Sequence, residues 1–547
     1  MTPVEPRRRG LAGETWFPPR ERAEGERRWR GRKLVLVVVD SLRTDMLLRC
    51  VADGTAPTFA ALLDRGQLIG ECVSTFPSVT PVAAAELATG RRPDEHGITA
   101  VNWFHRVERR YIEYGSSFEA TRALGLIRTL YDIVYDMNLS HLSSEVTTVF
   151  ERVAPVGVRT ACTPFLIYRG PRRHELGLEG MLRRVALAAT FRHAVWGPDE
   201  LFYGELYASR RVPCRPTLAR PGIRDPYSAC VGRELAREDA YDFLLFSLPD
   251  NDHHSHRFGP GATADSIARA DRCLGELTDA CGGVDQFCER NAVVVCADHA
   301  QTEVLETLPL AESLDAYWRV LRPSADRAAS ADLAVSPCAR AGSVYVLSDG
   351  ARGHRVHAGV RRVLGDLEGV DLVACLGAAD GTPVLRSEGG PDAAAEAIIE
   401  RGGRELRFRP GSQGADLRGS GWDLDGDLSV LELRRCDGAL ASDAYPDCLA
   451  RLWAALSAPQ AGDVLVSLAP GWECVDWGGA SHAGGGSHGS LSAGDSLGPL
   501  LACGVDGFSS DECRQWTIAD VARVIDDHFA GQARAESRSS HALARVH

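Results

Sequence analysis

Several short stretches of the chain concentrate residue types able to do nucleophilic or metal chemistry. "PDNDHHSHRFGP" puts Asp252 and His256 four residues apart. On a helical turn these share a face, where a carboxylate and an imidazole can hold one divalent ion. Asp250 and His254 have the same spacing, so the residues alone leave two candidate pairs. "CADHAQ" places Asp298 and His299 directly after an apolar run, and "KLVLVVVD" ends such a run in Asp40. "GGASHAGGGSHGSL" supplies His482 and His488 in a glycine-rich loop. In "TFPSVTPVAAAELATG", Thr80 precedes Pro81, a helix-compatible run and Gly90. That order predicts an N-cap, a proline at the first helical position and a closing glycine. A threonine at the positive end of a helix is a candidate nucleophile, because backbone N–H groups there can hold a phosphate. Its hydroxyl is weak until a metal or base takes its proton. Each stretch alone also reads as a cap, a polar loop or a strand end. Taken together, the aspartates and histidines form a donor set that suits zinc, with manganese or iron as alternatives.

The elements that must position these residues read as an α/β fold. "KLVLVVVD", "YDFLLFSLPDND", "NAVVVCADH" and "DVLVSLAPGWE" are short continuous apolar runs, the mark of strands buried on both faces. Helical stretches such as "APTFAALLDRG", "PVAAAELATG" and "ADSIARADRCLGELTDACG" separate them. The pattern predicts a mostly parallel central sheet with helices on both faces. Acidic residues then fall at the C-terminal ends of the strands, the edge where such sheets bind ligands. The predicted organisation is a flexible basic arm over 1–33, core over 34–102, and a helical or irregular insertion over 103–238. Core resumes over 239–300, a smaller α+β cap covers 301–460, core returns over 461–533, and a flexible tail occupies 534–547.

The chain has 547 residues, 44% hydrophobic and 25% charged, which is enough apolar surface for a large core. No apolar run approaches the ~20 residues needed to span a bilayer, and the N-terminal stretch matches no signal peptide, so a cytoplasmic protein is expected. The sixteen cysteines are scattered without a CxxC pair, and thiols are the expectation. A net charge of −13 argues against stable nucleic-acid binding through a basic surface. Oligomeric state is not written in any of these features.

In their order, "VVVDSLRTD", "FPSVTPVAAAELATGRRPDEHGI", "DHHSHRFGP", "ADHAQ" and "GSHGSL" resemble the alkaline phosphatase superfamily. The branch they resemble is the type I phosphodiesterase/nucleotide pyrophosphatase family. The resemblance spans about residues 34–490. It implies an alkaline phosphatase-like fold, a phosphate-ester substrate and two divalent metal ions. It assigns Asp40, Asp298 and His299 to one ion, with Thr80 as the nucleophile touching it. It assigns Asp252, His256 and His488 to the other, because "GP" follows His256 as in the family's pattern. Thr75, in "STFPS", is the alternative nucleophile, and its distance from Gly90 disfavours it. Asn102 resembles a phosphoryl-contacting asparagine, although its gap from His96 is one residue longer than the family's. His96 reads as structural. A sulfatase would need a "CxPxR" segment, and "CTPFL" and "CRPTL" lack the arginine. The expected activity is phosphodiester or pyrophosphate hydrolysis through a covalent phospho-enzyme. Phosphomonoester or phosphonate hydrolysis is the alternative, and a non-catalytic binding protein the third reading.

Overall fold

The computed structural model describes residues 29–177, 193–204, 206–214, 223–323, 330–378, 380–388, 395–511 and 515–543. Its larger sheet has eight strands. In spatial order they are Gln67–Val73, Leu497–Cys503, Asn291–Cys296, Lys33–Val39, Phe243–Leu248, Thr160–Cys162, Glu200–Tyr203 and Tyr207–Ala208. The five from Asn291–Cys296 to Glu200–Tyr203 run parallel. Leu497–Cys503 is antiparallel to both its neighbours, and Tyr207–Ala208 is antiparallel to Glu200–Tyr203. The sheet is therefore mixed, with a parallel middle.

Alternation along Lys33–Val39 shows why that middle is apolar throughout. Leu34, Leu36 and Val38 enter one core layer, while Val35, Val37 and Val39 enter the other. Successive strand side chains point to opposite faces, and both faces are covered. Thr80–Thr89 and the long helix Ala519–Leu543 pack on the first face. Ala264–Asp279 and Asp225–Arg237 pack on the second.

A second sheet of seven strands is antiparallel throughout. Helix Gly350–Asp366 covers one face through Val356, Val360 and Leu364, and Cys448–Ser457 covers the other through Leu449 and Leu452. This sheet is the expected α+β cap, with one correction. Val464–Leu468, expected in the core, sits inside the cap sheet between Ala341–Val346 and Val370–Gly377. A continuous apolar run fits the middle of either sheet, so composition could not choose. Leu497–Cys503 takes the core place instead.

Other boundaries also move. The 103–238 segment contributes Thr160–Cys162 and Glu200–Tyr203 to the central sheet, so it is only partly an insertion. Within the expected arm, Trp29 is buried against Phe529, while residues 1–28 lie outside the described residues. The expected tail continues the last helix to Leu543, and residues 544–547 lie outside the described residues. Cys214 and Cys230 form a disulfide, contrary to the expectation of thiols. Their spacing carries no motif, and only the fold brings them together.

Gly90 ends the Thr80 helix at φ 68°, its N–H donating to the Glu86 carbonyl. A Cβ there would lie 2.9 Å from Ala522 Cβ in the long C-terminal helix. Left-handed backbone costs an L-residue about 1–2 kcal/mol. Gly90→Ala is therefore expected to destabilise the protein by at least about 1 kcal/mol in urea unfolding, with the clash adding to the backbone cost.

Candidate active site

Three neighbouring parallel strands deliver the acidic residues to one rim. Asp40 follows Lys33–Val39, helix Asp250–Phe258 follows Phe243–Leu248, and Asp298 and His299 follow Asn291–Cys296. Thr302–Leu308 then pairs with Gly471–Cys474 and Gly486–Ser487, which brings the late loops to the same place. His488 is fixed from two directions. Its Nδ1 contacts the Ser78 carbonyl at 2.8 Å, and its own carbonyl accepts from the Arg340 amide at 2.8 Å.

Ligand atoms of Asp40, Asp298 and His299 all lie within 4.8 Å of one another, and so do those of Asp252, His299 and His488. His256 Nε2 is 3.4 Å from Asp252 Oδ2. All seven expected ligands, Thr80 included, thus meet in one place, with His299 standing between the two expected sets. Its ring stacks on His488 at 3.8 Å between centroids. His256 and His488 each place Nδ1 against a backbone carbonyl, which leaves Nε2 directed away as a lone-pair donor.

The electrostatics fit a cation. Asp40 Oδ1 is buried without a hydrogen-bond partner. Burial, with Asp298 and Asp252 nearby, pushes the Asp40 carboxyl well above its ordinary range. Burial raises Asp298 to about 6, with Asp252 adding to the shift. Burial also opposes ionisation of Asp252, but the imidazoles of His256, His488 and His299 and the Ser41 hydroxyl outweigh it and hold that carboxyl low. Burial lowers His256, His299 and His488 to about 4, which keeps them neutral near pH 7 as ligands must be.

Thr80 Oγ1 lies 3.1 Å from His299 Nε2. Its place in the helix differs from expectation, since Val79 is the N-cap and Thr80 the first helical residue. The hydroxyl therefore faces the site instead of capping. Pro81 has no N–H, and those of Val82 and Ala83 bond the Val79 carbonyl, so the helix contributes its dipole more than a row of free amides. Thr75 is buried away from this point, its carbonyl held by Arg451.

Of the two Asp/His pairs, Asp252 is grouped with His299 and His488 and lies beside His256, whereas Asp250 and His254 have other partners. Asp250 pairs with Arg224, and His254 bonds the Ala262 carbonyl at an exposed position. Asn102 is not brought to the site. Its amide donates to Glu113 and to the Ile112 carbonyl within a hairpin, and the preceding Val101 lines the cavity instead. The one-residue excess in spacing has turned the side chain to the other face. His96 is buried, accepting from the Ile98 amide.

Several participants were given no role by the sequence motifs. Glu473 holds His482 at 2.7 Å, and His482 stacks on His256 at 3.9 Å. Gln301 donates to Asp252 Oδ1. Buried Arg340 pairs with buried Asp495 at 2.5 Å, and Asp495 Oδ2 accepts from the Ser490 amide. A further grouping, Asp132, Asp136 and His141, lies apart. Arg110 holds both Asp132 oxygens, and the Tyr114 hydroxyl meets His141.

The site opens into a cavity of about 490 Å³. Tyr114, Ile133, Phe165, Leu166, Tyr203 and Ile223 form its apolar wall. Among the described residues lining it, Arg224 is the only arginine or lysine, and it pairs with Asp250.

The model of the type I phosphodiesterase/nucleotide pyrophosphatase family matches residues 34–346, and the chain belongs to that family. Its members are metal-dependent phosphoester hydrolases, and this chain is by class such an enzyme. The phosphonoacetate hydrolase of Sinorhizobium meliloti 1021, solved with phosphonoformate, is similar in fold at 15% identity and TM-score 0.50. The match covers 92% of this chain and 98% of that one. Murine ectonucleotide pyrophosphatase/phosphodiesterase 5, solved as an inactive variant with AMP, is similar at 11% identity and TM-score 0.52, covering 91% and 95%. The human counterpart matches at 12% identity and TM-score 0.51, with the same coverage. No curated protein sequence matches the chain. Among the described residues, no single helix is long and apolar enough to cross a membrane.

Arg340→Met is expected to cost about 3–5 kcal/mol in urea unfolding, because it leaves Asp495 charged and buried without its partner. The Asp298 carboxyl gives a second expectation. Its folded value of about 6 exceeds the ordinary 3.8, so ionisation disfavours the fold. The penalty grows as pH rises from about 4 and is complete above about 6. In metal-free protein at pH 8, Asp298→Asn is expected to raise stability by about 1–3 kcal/mol by denaturant titration, while weakening metal binding.

Proposed function

We propose that the protein hydrolyses phosphodiester or pyrophosphate bonds through Thr80, with two divalent metal ions, zinc by the donor set, held by the aspartates and histidines above. One observation carries the reading. The Thr80 hydroxyl, at the head of a buried helix, converges with His299 Nε2 on the point where both ligand sets meet. Asp40, Asp298 and His299 would hold one ion beside Thr80, and Asp252, His256 and His488 the other. Bound there, the ions would supply Lewis-acid stabilisation of charge on the phosphoryl group and ease ionisation of the hydroxyls that react.

The chain's own residues do the rest. Thr80 Oγ attacks phosphorus, forming the Thr80–phosphate bond as the bond to the leaving oxygen breaks in line with it. Water then cleaves the threonine phosphoester and restores the hydroxyl. The helix dipole behind Thr80 favours the phosphoryl charge. Buried, neutral imidazoles and the stacked His299–His488 pair hold the geometry without reorganising during reaction.

The cavity favours a diester over a monoester. Its apolar wall accepts an uncharged organic group on the phosphate, and its arginine is already paired with a carboxylate. A phosphomonoester would bring a second negative charge, and beyond the metal ions no arginine or lysine among the described lining residues is free to meet it. Phosphonate hydrolysis is the second reading, supported by the fold it shares with a phosphonoacetate hydrolase.

Purified protein is expected to cleave bis-(p-nitrophenyl) phosphate faster than p-nitrophenyl phosphate. Chelation should abolish the activity and zinc or manganese should restore it. Thr80→Ala should lower kcat by at least about a thousandfold while leaving the melting temperature within a few degrees. Undiminished turnover by folded Thr80→Ala would remove Thr80 from the mechanism, and monoester preference would reverse the substrate assignment.

A further inference from the structure

Ser41 directly follows Asp40 and adopts φ 56°, backbone that a glycine would take freely. It is buried, and its N–H and hydroxyl both bond groups of the site. Its N–H donates to Asp298 Oδ1 at 3.1 Å. Its hydroxyl lies 2.7 Å from Asp252 Oδ1 and 3.1 Å from His299 Nδ1. Gln301 Nε2 donates to the same hydroxyl oxygen at 3.2 Å.

Hydrogen counting assigns the directions. An ionised carboxylate only accepts, so the single hydroxyl hydrogen goes to Asp252. The contact with His299 then needs an N–H from Nδ1. That proton on Nδ1 leaves the lone pair on Nε2, the atom that faces Thr80, Asp40 and Asp298. One side chain thereby grips Asp252, from one expected ligand set, and His299, from the other, while its amide holds Asp298. A serine kept in a backbone region natural to glycine is a local conflict whose compensation lies in these bonds.

We propose that Ser41 is a positioning residue: it ties the two ligand sets together and, beside the Ala300 carbonyl 3.3 Å from His299 Nδ1, fixes the His299 tautomer, so that divalent-metal affinity depends on its hydroxyl. The inference rests on the two-metal reading of the site. It adds a residue that lies inside "VVVDSLRTD" but to which the resemblance assigns no role.

The substitutions that separate this role from a structural one are Ser41→Gly and Ser41→Ala. Both delete the hydroxyl, but only glycine also relieves the backbone. Full-length wild type and both variants would be stripped with chelator. Zinc affinity and stoichiometry would be read by titration calorimetry, and the melting temperature of the stripped protein by circular dichroism. Both variants are expected to bind zinc about tenfold or more weakly. Stripped Ser41→Gly is expected to melt no lower than Ser41→Ala. Turnover lost at limiting zinc should return when zinc is raised. Wild-type affinity in either folded variant overturns the proposal. Failure of stripped Ser41→Gly to fold also overturns it, by making Ser41 a determinant of the fold. Wild type that binds no zinc overturns the two-metal reading, and this inference with it. Wild type that binds zinc beside indistinguishable variants overturns the role of Ser41 alone.

Discussion

Mutual repulsion among buried carboxylates is the constraint on which the site depends. Two unit charges ~4 Å apart at an effective dielectric of 20 repel by about 4 kcal/mol. Asp40 and Asp298 have ligand atoms within 4.8 Å of each other, and Asp252 adds to the repulsion on both. The fold tolerates them by raising two of the carboxyls, by surrounding Asp252 with imidazoles, and by leaving an oxygen of Asp40 for a cation. A region arranged in this way is poor as a core and good as a metal receptor. That is the sense in which stability has been exchanged for chemistry.

Holding that arrangement needs stiffness from outside it. The parallel strands fix where Asp40, Asp298 and the Asp252 helix begin, because their register is set by two fully covered faces. The late loop has no such sheet behind it. Arg340, from the cap side, takes over by bonding the His488 carbonyl through its amide, Asp495 through its guanidinium, and the Trp472 and Ala469 carbonyls. Ser78 supplies the opposite anchor, two residues before Thr80. The segment that carries Thr80 and the loop that carries His488 are thus positioned relative to each other through the Ser78–His488 contact.

Much of this was legible in the chain. Apolar runs ending in acidic residues mark the strands Lys33–Val39, Phe243–Leu248 and Asn291–Cys296, and placing Asp40, Asp252 and Asp298 at their ends required only the rule about sheet edges. The Thr80–Pro81–Gly90 helix was readable at its closing glycine, and its start lies one residue earlier than the pattern placed it. Val464–Leu468 was misplaced because burial on two faces looks the same in either sheet. Asn102 was misplaced because a hairpin of period two reverses a side chain for a single extra residue. Arg340 and Asp495 left no signal, since their roles come from contacts between segments more than a hundred residues apart, and Ser41, although it follows Asp40 in "VVVDSLRTD", is no metal donor.

The placement of Val464–Leu468 also bears on how the enzyme is put together. The strand lies in the interior of the cap sheet, yet in sequence it follows the whole cap and leads straight into the loop that bears His488. The cap is consequently no detachable module. Excising residues 301–460 would leave Val464–Leu468 with no sheet to join, and grafting those residues elsewhere would carry a sheet with its interior strand missing. Synthesis runs into the same constraint: the cap sheet cannot close until residue 468 has left the ribosome, which ties its completion to the arrival of the loop that bears His488.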